Sequence, residues 1–234
     1  MIRITFNQAW TGDADCLHCT VRDSVLFAGL TKDDFEKLHD PISQFTLKPG
    51  TALYKTGDAS DSLFTVRSGL IKQLKFLPDG TQRILRIAHG TSTLGLEAMV
   101  ADTYQHDAIA LRTSEVCRLP AKMIRQLSEK KPVLYGELMR HWQRALNDAD
   151  SWILELSTGS AKARIARLLL YLASVDAQKI CYLVSREDMG AMLGITPETA
   201  SRIIASFKRD KLIREQYTDQ YTVDFLKLQK IANE

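Results

Sequence analysis

No stretch of this 234-residue sequence holds an uninterrupted apolar run approaching the length needed to cross a bilayer. The N-terminus lacks the basic-then-apolar segment of a secretory signal. Both absences point to a cytoplasmic protein with no membrane partner. The chain has no HExxH, no phosphate-binding glycine loop and no nucleophile elbow, so the common enzyme chemistries have no footing in it. Cysteine is scarce: Cys16, Cys19, Cys117 and Cys181 are the four. In a reducing compartment such residues read as thiols or metal ligands rather than structural disulfides. No segment is repeated or of low complexity.

What is present suits packed cores. Hydrophobic residues make up 45% and charged residues 25%, ordinary values for a globular protein. The net charge of +3 acquires meaning only when located. Residues 159–234 hold 12 Lys and Arg against 9 Asp and Glu, so the whole excess lies in the last third. A basic excess confined there points mildly to a polyanion partner.

Residues 24–131 read as a β-roll. Pro49-Gly50, Gly57-Asp58, Ser68-Gly69, Asp79-Gly80, His89-Gly90 and Gly95 are turn signals between β-rich runs, as in an antiparallel roll or barrel. Leu30 to Leu38 reads as a short helix capped by Thr31. From Pro132 the pattern becomes helical. Met139, Trp142, Leu146, Ala149, Ile153 and Leu156 recur at alternating spacings of three and four, a heptad stripe that favours a two-chain helix pair. The alternative is a stripe packed on its own β domain. Ser157-Thr-Gly-Ser160 breaks this helix, and Ser160 caps the next. The expected organisation is an N-terminal cysteine-containing segment (1–23), a β-roll (24–131), a long pairing helix (132–158) and a C-terminal domain (159–234).

Residues 185–213 carry the most information. Ser185, with Asp188 three places on, starts one helix as a variant capping box. Gly194 supplies a turn that needs a positive φ. Thr196 caps a second helix and Pro197 takes its first position, where a missing N–H costs little. Glu198 and Arg202, four apart, share the outward face near the N-terminal end with Ser201. That end of a recognition helix meets base edges. Arg can grip guanine bidentately while Glu accepts from cytosine, so the pair suits a G·C step. Arg186 and Lys208 join the expected DNA-contacting set, and Leu212 to Val223 reads as a hairpin wing. An ordinary surface ion pair is the bland alternative, and the caps, turn glycine and trailing basic run argue against it.

On these residues the chain resembles the CRP/FNR superfamily of bacterial transcription regulators. Phe27-Ala-Gly-Leu30, Gly57-Asp58, Ser68-Gly69, Gly90 and Gly95 are similar to its β-roll, and the heptad stripe to its dimerisation helix. Glu198-Thr-Ala-Ser-Arg202 matches the FNR form Glu-x-x-Ser-Arg. The resemblance implies an α+β protein: an antiparallel, cyclic-nucleotide-binding-like roll, a long dimerisation helix and a C-terminal winged helix-turn-helix. It further implies a homodimer on a palindrome related to TTGAT-N4-ATCAA and RNA polymerase as a partner. Pro197 departs from the family pattern and leaves contacts at the outer thymines open.

The signal is less legible. Nucleotide-binding relatives carry Gly-Glu and an Arg-Ser or Arg-Thr around the phosphate. Here Leu96 follows Gly95, Glu97 comes one place late, and residues 103–108 contain no arginine. Burying a phosphodiester without a charged partner is costly, which argues against cyclic AMP. Cys16, Cys19 and Cys117 resemble positions of cluster ligands in oxygen-sensing FNR proteins, which implies three of four thiolates for a [4Fe–4S] cluster. The fourth position falls near Val25, which cannot ligate; Asp23, Asp15 or His18 could replace it. A thiol–disulfide switch at Cys16/Cys19, haem, another small molecule or no effector at all are the other readings. A CxxC oxidoreductase would need that motif opening a helix after a strand, and Cys16 lies in no such setting. A third class is a cyclic-nucleotide module without DNA function, against which the helix-turn-helix speaks. Cys181 reads as core. His39, His89, His106 and His141 lack metal-ligand spacing and read as surface or turn residues.

Overall fold

The computed structural model describes residues 10–13, 26 and 42–234. Cys16, Cys19, His18, His39, the Phe27–Leu30 match and the helix expected from Leu30 to Leu38 lie outside the described residues. The chain divides into two compact units. One comprises residues up to Lys75 with Arg86–Asn147, and the other Phe76–Leu85 with Asp148–Glu234.

The first unit is the expected roll. Strands β1 (Trp10–Asp13), β2 (Ser43–Leu47), β3 (Ala52–Tyr54), β4 (Ser62–Ser68), β5 (Ile71–Phe76), β6 (Gln82–Ala88), β7 (Thr93–Leu94), β8 (Asp107–Ala110) and β9 (Ser114–Pro120) form two sheets. Their orders are β1-β2-β9-β4-β7 and β3-β8-β5-β6. The tip of the β5–β6 hairpin belongs to the second unit.

Two apolar layers flank the β4–β9 pair. Phe64, Val66 and Val116 point into the roll with Phe45, Tyr54 and Tyr104. Leu63, Cys117 and Leu119 point outward, against helices α1 (Ala121–Lys130) and α2 (Val133–Leu156). Alternation along a strand sends neighbours to opposite faces. Both faces of β9 are covered, with Val116 buried on one side and Cys117 and Leu119 on the other. The α2 residues Leu134 and Leu138 join this outer layer, with Trp142 and Ala145 packed against it.

The second unit contains α3 (Ala161–Ser174), β10 (Cys181–Tyr182), α4 (Arg186–Leu193), α5 (Pro197–Arg209), β11 (Ile213–Tyr217), β12 (Gln220–Val223) and α6 (Phe225–Ala232). The strands form a sheet in the order β10-β12-β11, which is the wing. Ser160 caps α3 by accepting from the Ala163 N–H at 3.1 Å, as its position predicts. Cys181 is fully buried in β10, and burial pushes its thiol up to about 12. That residue is core.

The division between compact units falls inside α2, between Asn147 and Asp148, and the domain boundary expected from sequence lies at 157–160. One expectation needs correction. His141 is not a surface residue: it is 5% exposed, with Nδ1 3.0 Å from Thr93 Oγ1. His106 is half-buried in a bend, and among the described residues its Nδ1 has no hydrogen-bond partner.

Candidate nucleic-acid interface

The helix-turn-helix is built by its caps. Ser185 Oγ accepts from the Asp188 N–H at 3.0 Å, which starts α4. Gly194 ends it at φ 63°, ψ 43°, the left-handed conformation that only glycine adopts at little cost. Thr196 Oγ1 accepts from the Thr199 N–H at 3.2 Å, and Pro197 opens α5. Ala200, Ile204 and Phe207 turn inward and are buried. The three- and four-residue spacing then leaves Glu198, Ser201 and Arg202 on the solvent side of the first two turns.

A residue that sequence reasoning missed holds the two helices together. A Cβ built on Gly190 would lie 2.7 Å from the Ile195 carbonyl oxygen, so only a bare backbone fits under the turn. Its signal was available as a small residue four places before Gly194, on the inner face of α4.

The electrostatics of the exposed end suit a reader of base edges. Glu198 is held below the usual carboxylate range by its own backbone N–H, then by the Thr196 hydroxyl. It therefore stays ionised as an acceptor. The Arg202 guanidinium donates to Thr199 Oγ1 at 3.2 Å, one bond among its five possible donors. Both side chains keep capacity for an external partner.

The other expected contacts also have partners within the domain. Lys208 is exposed and bonded to the wing. Its Nζ donates to the Tyr221 hydroxyl at 2.7 Å, lies 3.3 Å from Glu215 Oε2 and sits 4.7 Å from the Tyr221 ring centroid. It ties the end of α5 to both wing strands. Arg186 is half-buried at the start of α4, with Nη1 3.7 Å from Met189 Sδ. The wing presents Arg214, Gln216 and Tyr217 outward, and sequence reasoning did not single these out.

The heptad stripe on α2 splits in two. Met139, Leu146 and Ile153 are 56%, 55% and 60% exposed. Trp142 packs on the outer layer of its own roll, Ala149 is half-buried, and Leu156 is 3% exposed. Leu156 thus has no surface to offer a second copy. The alternate positions of the stripe turn toward neighbours in the same chain, and the exposed seam keeps one residue per heptad.

In the roll, the Tyr54 and Tyr104 rings stack with centroids 4.0 Å apart. The Tyr104 hydroxyl donates to the Ser62 carbonyl at 2.6 Å. Glu97 sits in a short 3-10 turn, Leu96–Met99, with its carboxylate 3.5 Å from the Gln105 N–H. Cys117 is buried among Leu26, Ile42, Leu63 and Leu119. A [4Fe–4S] cluster needs four donors. Among the described residues no group of three His, Cys, Asp or Glu gathers; Cys16 and Cys19 lie outside them.

A capped helix pair with a wing, following a β-roll and a long helix, defines a DNA-binding regulator. Two family models match the chain: the cyclic nucleotide-binding domain over residues 44–131 and the Crp-like helix-turn-helix domain over residues 163–231. The transcriptional activator protein Anr of Pseudomonas aeruginosa is 31% identical over 226 residues, 94% of this chain and 93% of its own length. Electron transport regulator A of Shewanella oneidensis is 29% identical over 224 residues, 93% and 90% of the two chains. The solved structure of FixK2 from Bradyrhizobium japonicum matches with a TM-score of 0.73 at 20% identity, over 81% of this chain and 96% of its own. The chain belongs to the CRP/FNR superfamily of bacterial transcription regulators.

The match to the cyclic nucleotide-binding family speaks for the roll fold, and binding must be argued from the site. Among the described residues no helix is long and apolar enough to cross a membrane.

Proposed function

We propose that this protein is a homodimeric, sequence-specific regulator of FNR type. Each subunit reads one half of a palindrome related to TTGAT-N4-ATCAA, and the relatives named as activators make RNA polymerase the further partner. The observation that carries this reading is the N-terminal end of α5, where Glu198, Ser201 and Arg202 face solvent together. Arg202 grips guanine and Glu198 accepts from cytosine. Pro197 has no amide to give a phosphate, so backbone contact at that point falls to neighbouring groups. The exposed seam of Met139, Leu146 and Ile153 supports pairing through α2.

The signal we assign is redox, acting through Cys16, Cys19 and Cys117. It is supported by the place of Leu26 in the layer that holds Cys117. A cyclic nucleotide is not part of this reading. Residues 103–108 lack an arginine, and the Tyr54–Tyr104 stack occupies the roll interior.

The test is a titration of palindromic and scrambled duplexes with the native chain and Arg202→Ala, anaerobically and after air exposure. Loss of a bidentate base contact weakens the palindrome complex by about 1–3 kcal/mol and leaves the scrambled duplex nearly unchanged. Equal losses on both duplexes would sink the base-reading role. Identical palindrome affinity with and without air would sink the redox assignment.

A further inference from the structure

Ser157-Thr-Gly-Ser160 has the composition of a flexible hinge, yet the side chain of Arg167 closes over it. From α3, Arg167 Nε donates to the Ala232 carbonyl at 2.7 Å. Its Nη1 donates to the Glu155 carbonyl at 2.8 Å and to the Thr158 carbonyl at 2.8 Å. The Glu155 and Thr158 carbonyls lie at the end of α2, where the last turn leaves acceptors without intrahelical partners. A cation there also meets the negative end of the helix dipole. One guanidinium therefore joins the end of α2, the corner and the end of α6.

Other contacts brace the same corner. Gly159, at φ 81°, has Arg167 Nη2 only 3.2 Å from where a Cβ would stand. The Trp152 ring on α2 meets the Tyr171 ring on α3 edge-on, centroids 6.0 Å apart. Leu156 is buried in the corner. These contacts all lie within the second unit, which takes in α2 from Asp148 onward.

We propose that Arg167 is a positioning residue that clasps the last two turns of α2 to α3 and α6. Those turns, the 157–160 corner and α3 are then held together as one body. The consequence for DNA reading rests on the homodimer proposed above: rigid corners fix the separation of two recognition helices, so the spacer of the palindrome is discriminated.

The test uses the full chain with Arg167→Met, which keeps the aliphatic stem, and Arg167→Lys, which keeps the charge. Amide hydrogen exchange across 155–160 is slow in the native chain. It becomes about tenfold faster or more in Arg167→Met and intermediate in Arg167→Lys. On palindromes with spacers one base pair shorter or longer than four, the native protein shows a sharp optimum. Arg167→Met loses about tenfold or more on the optimal palindrome, flattens the optimum and binds an isolated half-site within about twofold of native. A general loss of structure would instead lower half-site binding in step. Native-like spacer discrimination in Arg167→Met overturns the proposal. So does fast exchange across 155–160 in the native chain, and that arm needs neither DNA nor a partner. Absence of any native preference for a palindrome over a half-site would count against the homodimer reading, with the exchange arm still deciding the clasp.

Discussion

His141 lies on the side of α2 that faces its own roll, where Thr93 Oγ1 meets its Nδ1. Burial lowers its pKa, the Arg144 charge adds to that, Glu137 opposes it and Arg140 adds a little more. His106 is lowered as well, by burial first and then by Arg86. A histidine whose folded pKa is depressed stays neutral in the native state, while the unfolded chain takes up its proton first as pH falls. The stability it supports is complete above the unfolded value of about 6.5 and declines as pH falls from there through the folded value. The urea midpoint is therefore expected to fall between about pH 7.5 and pH 5.5, and less steeply in His141→Gln. An unchanged slope in that variant would remove His141 as a cause. Its position was hard to read from sequence, because the heptad pattern drew attention to the other side of α2 and histidine adds nothing to an apolar period. Lys208 shows the same limit from the opposite direction. A basic residue on an outward helix face looks free until the wing returns Glu215 and Tyr221 to it.

The crossing of α4 and α5 makes its demand on backbone shape. With the Ile195 carbonyl 2.7 Å from the place of a Gly190 Cβ, Gly190→Ala must push the turn away or open the helix pair. Overpacking of this kind costs about 1–3 kcal/mol, and the DNA-reading end should lose affinity with it. Gly136→Ala is the control. It lies in α2, where among the described residues a Cβ meets only Arg140, at 3.8 Å, so the change should be neutral or slightly stabilising. Denaturation curves showing equal effects for the two variants would contradict the close crossing. Much of this motif was legible beforehand. Ser185, Gly194, Thr196 and Pro197 each occupy the position that local chemistry assigns them, because caps and turns are decided by a few adjacent residues. Gly190 was not legible in the same way, since its partner is a carbonyl beyond the turn. The roll was legible from its turn signals, whereas the two-sided burial of β9 depends on α1 and α2 arriving to cover its outer face.

Pairing of two chains is a property of the whole molecule, and the exposed seam on α2 states what it requires. Met139, Leu146 and Ile153 lie seven residues apart, about 10 Å per step along the helix, and each is more than half exposed. The stripe read from sequence was broader, because spacing alone cannot tell which of its members a neighbouring element in the same chain will claim. Trp142 goes to the roll and Leu156 is buried, so the proposed pairing has fewer side chains to rest on than the full heptad pattern implies. Leu146 is the middle of the three and the most sensitive point. Fully burying a leucine contributes about 1.5–3 kcal/mol, and in a symmetric pair the loss is incurred twice. Leu146→Asp adds two apposed carboxylates in place of that gain. Sedimentation equilibrium at micromolar concentration should show the native chain as a dimer and the variant as a monomer. Affinity for the palindrome should fall toward that of a half-site, while half-site binding holds, because α5 is untouched. A variant that remains dimeric would move the interface off this seam. A variant that is monomeric yet binds the palindrome as tightly as the native chain would separate dimerisation from DNA reading altogether.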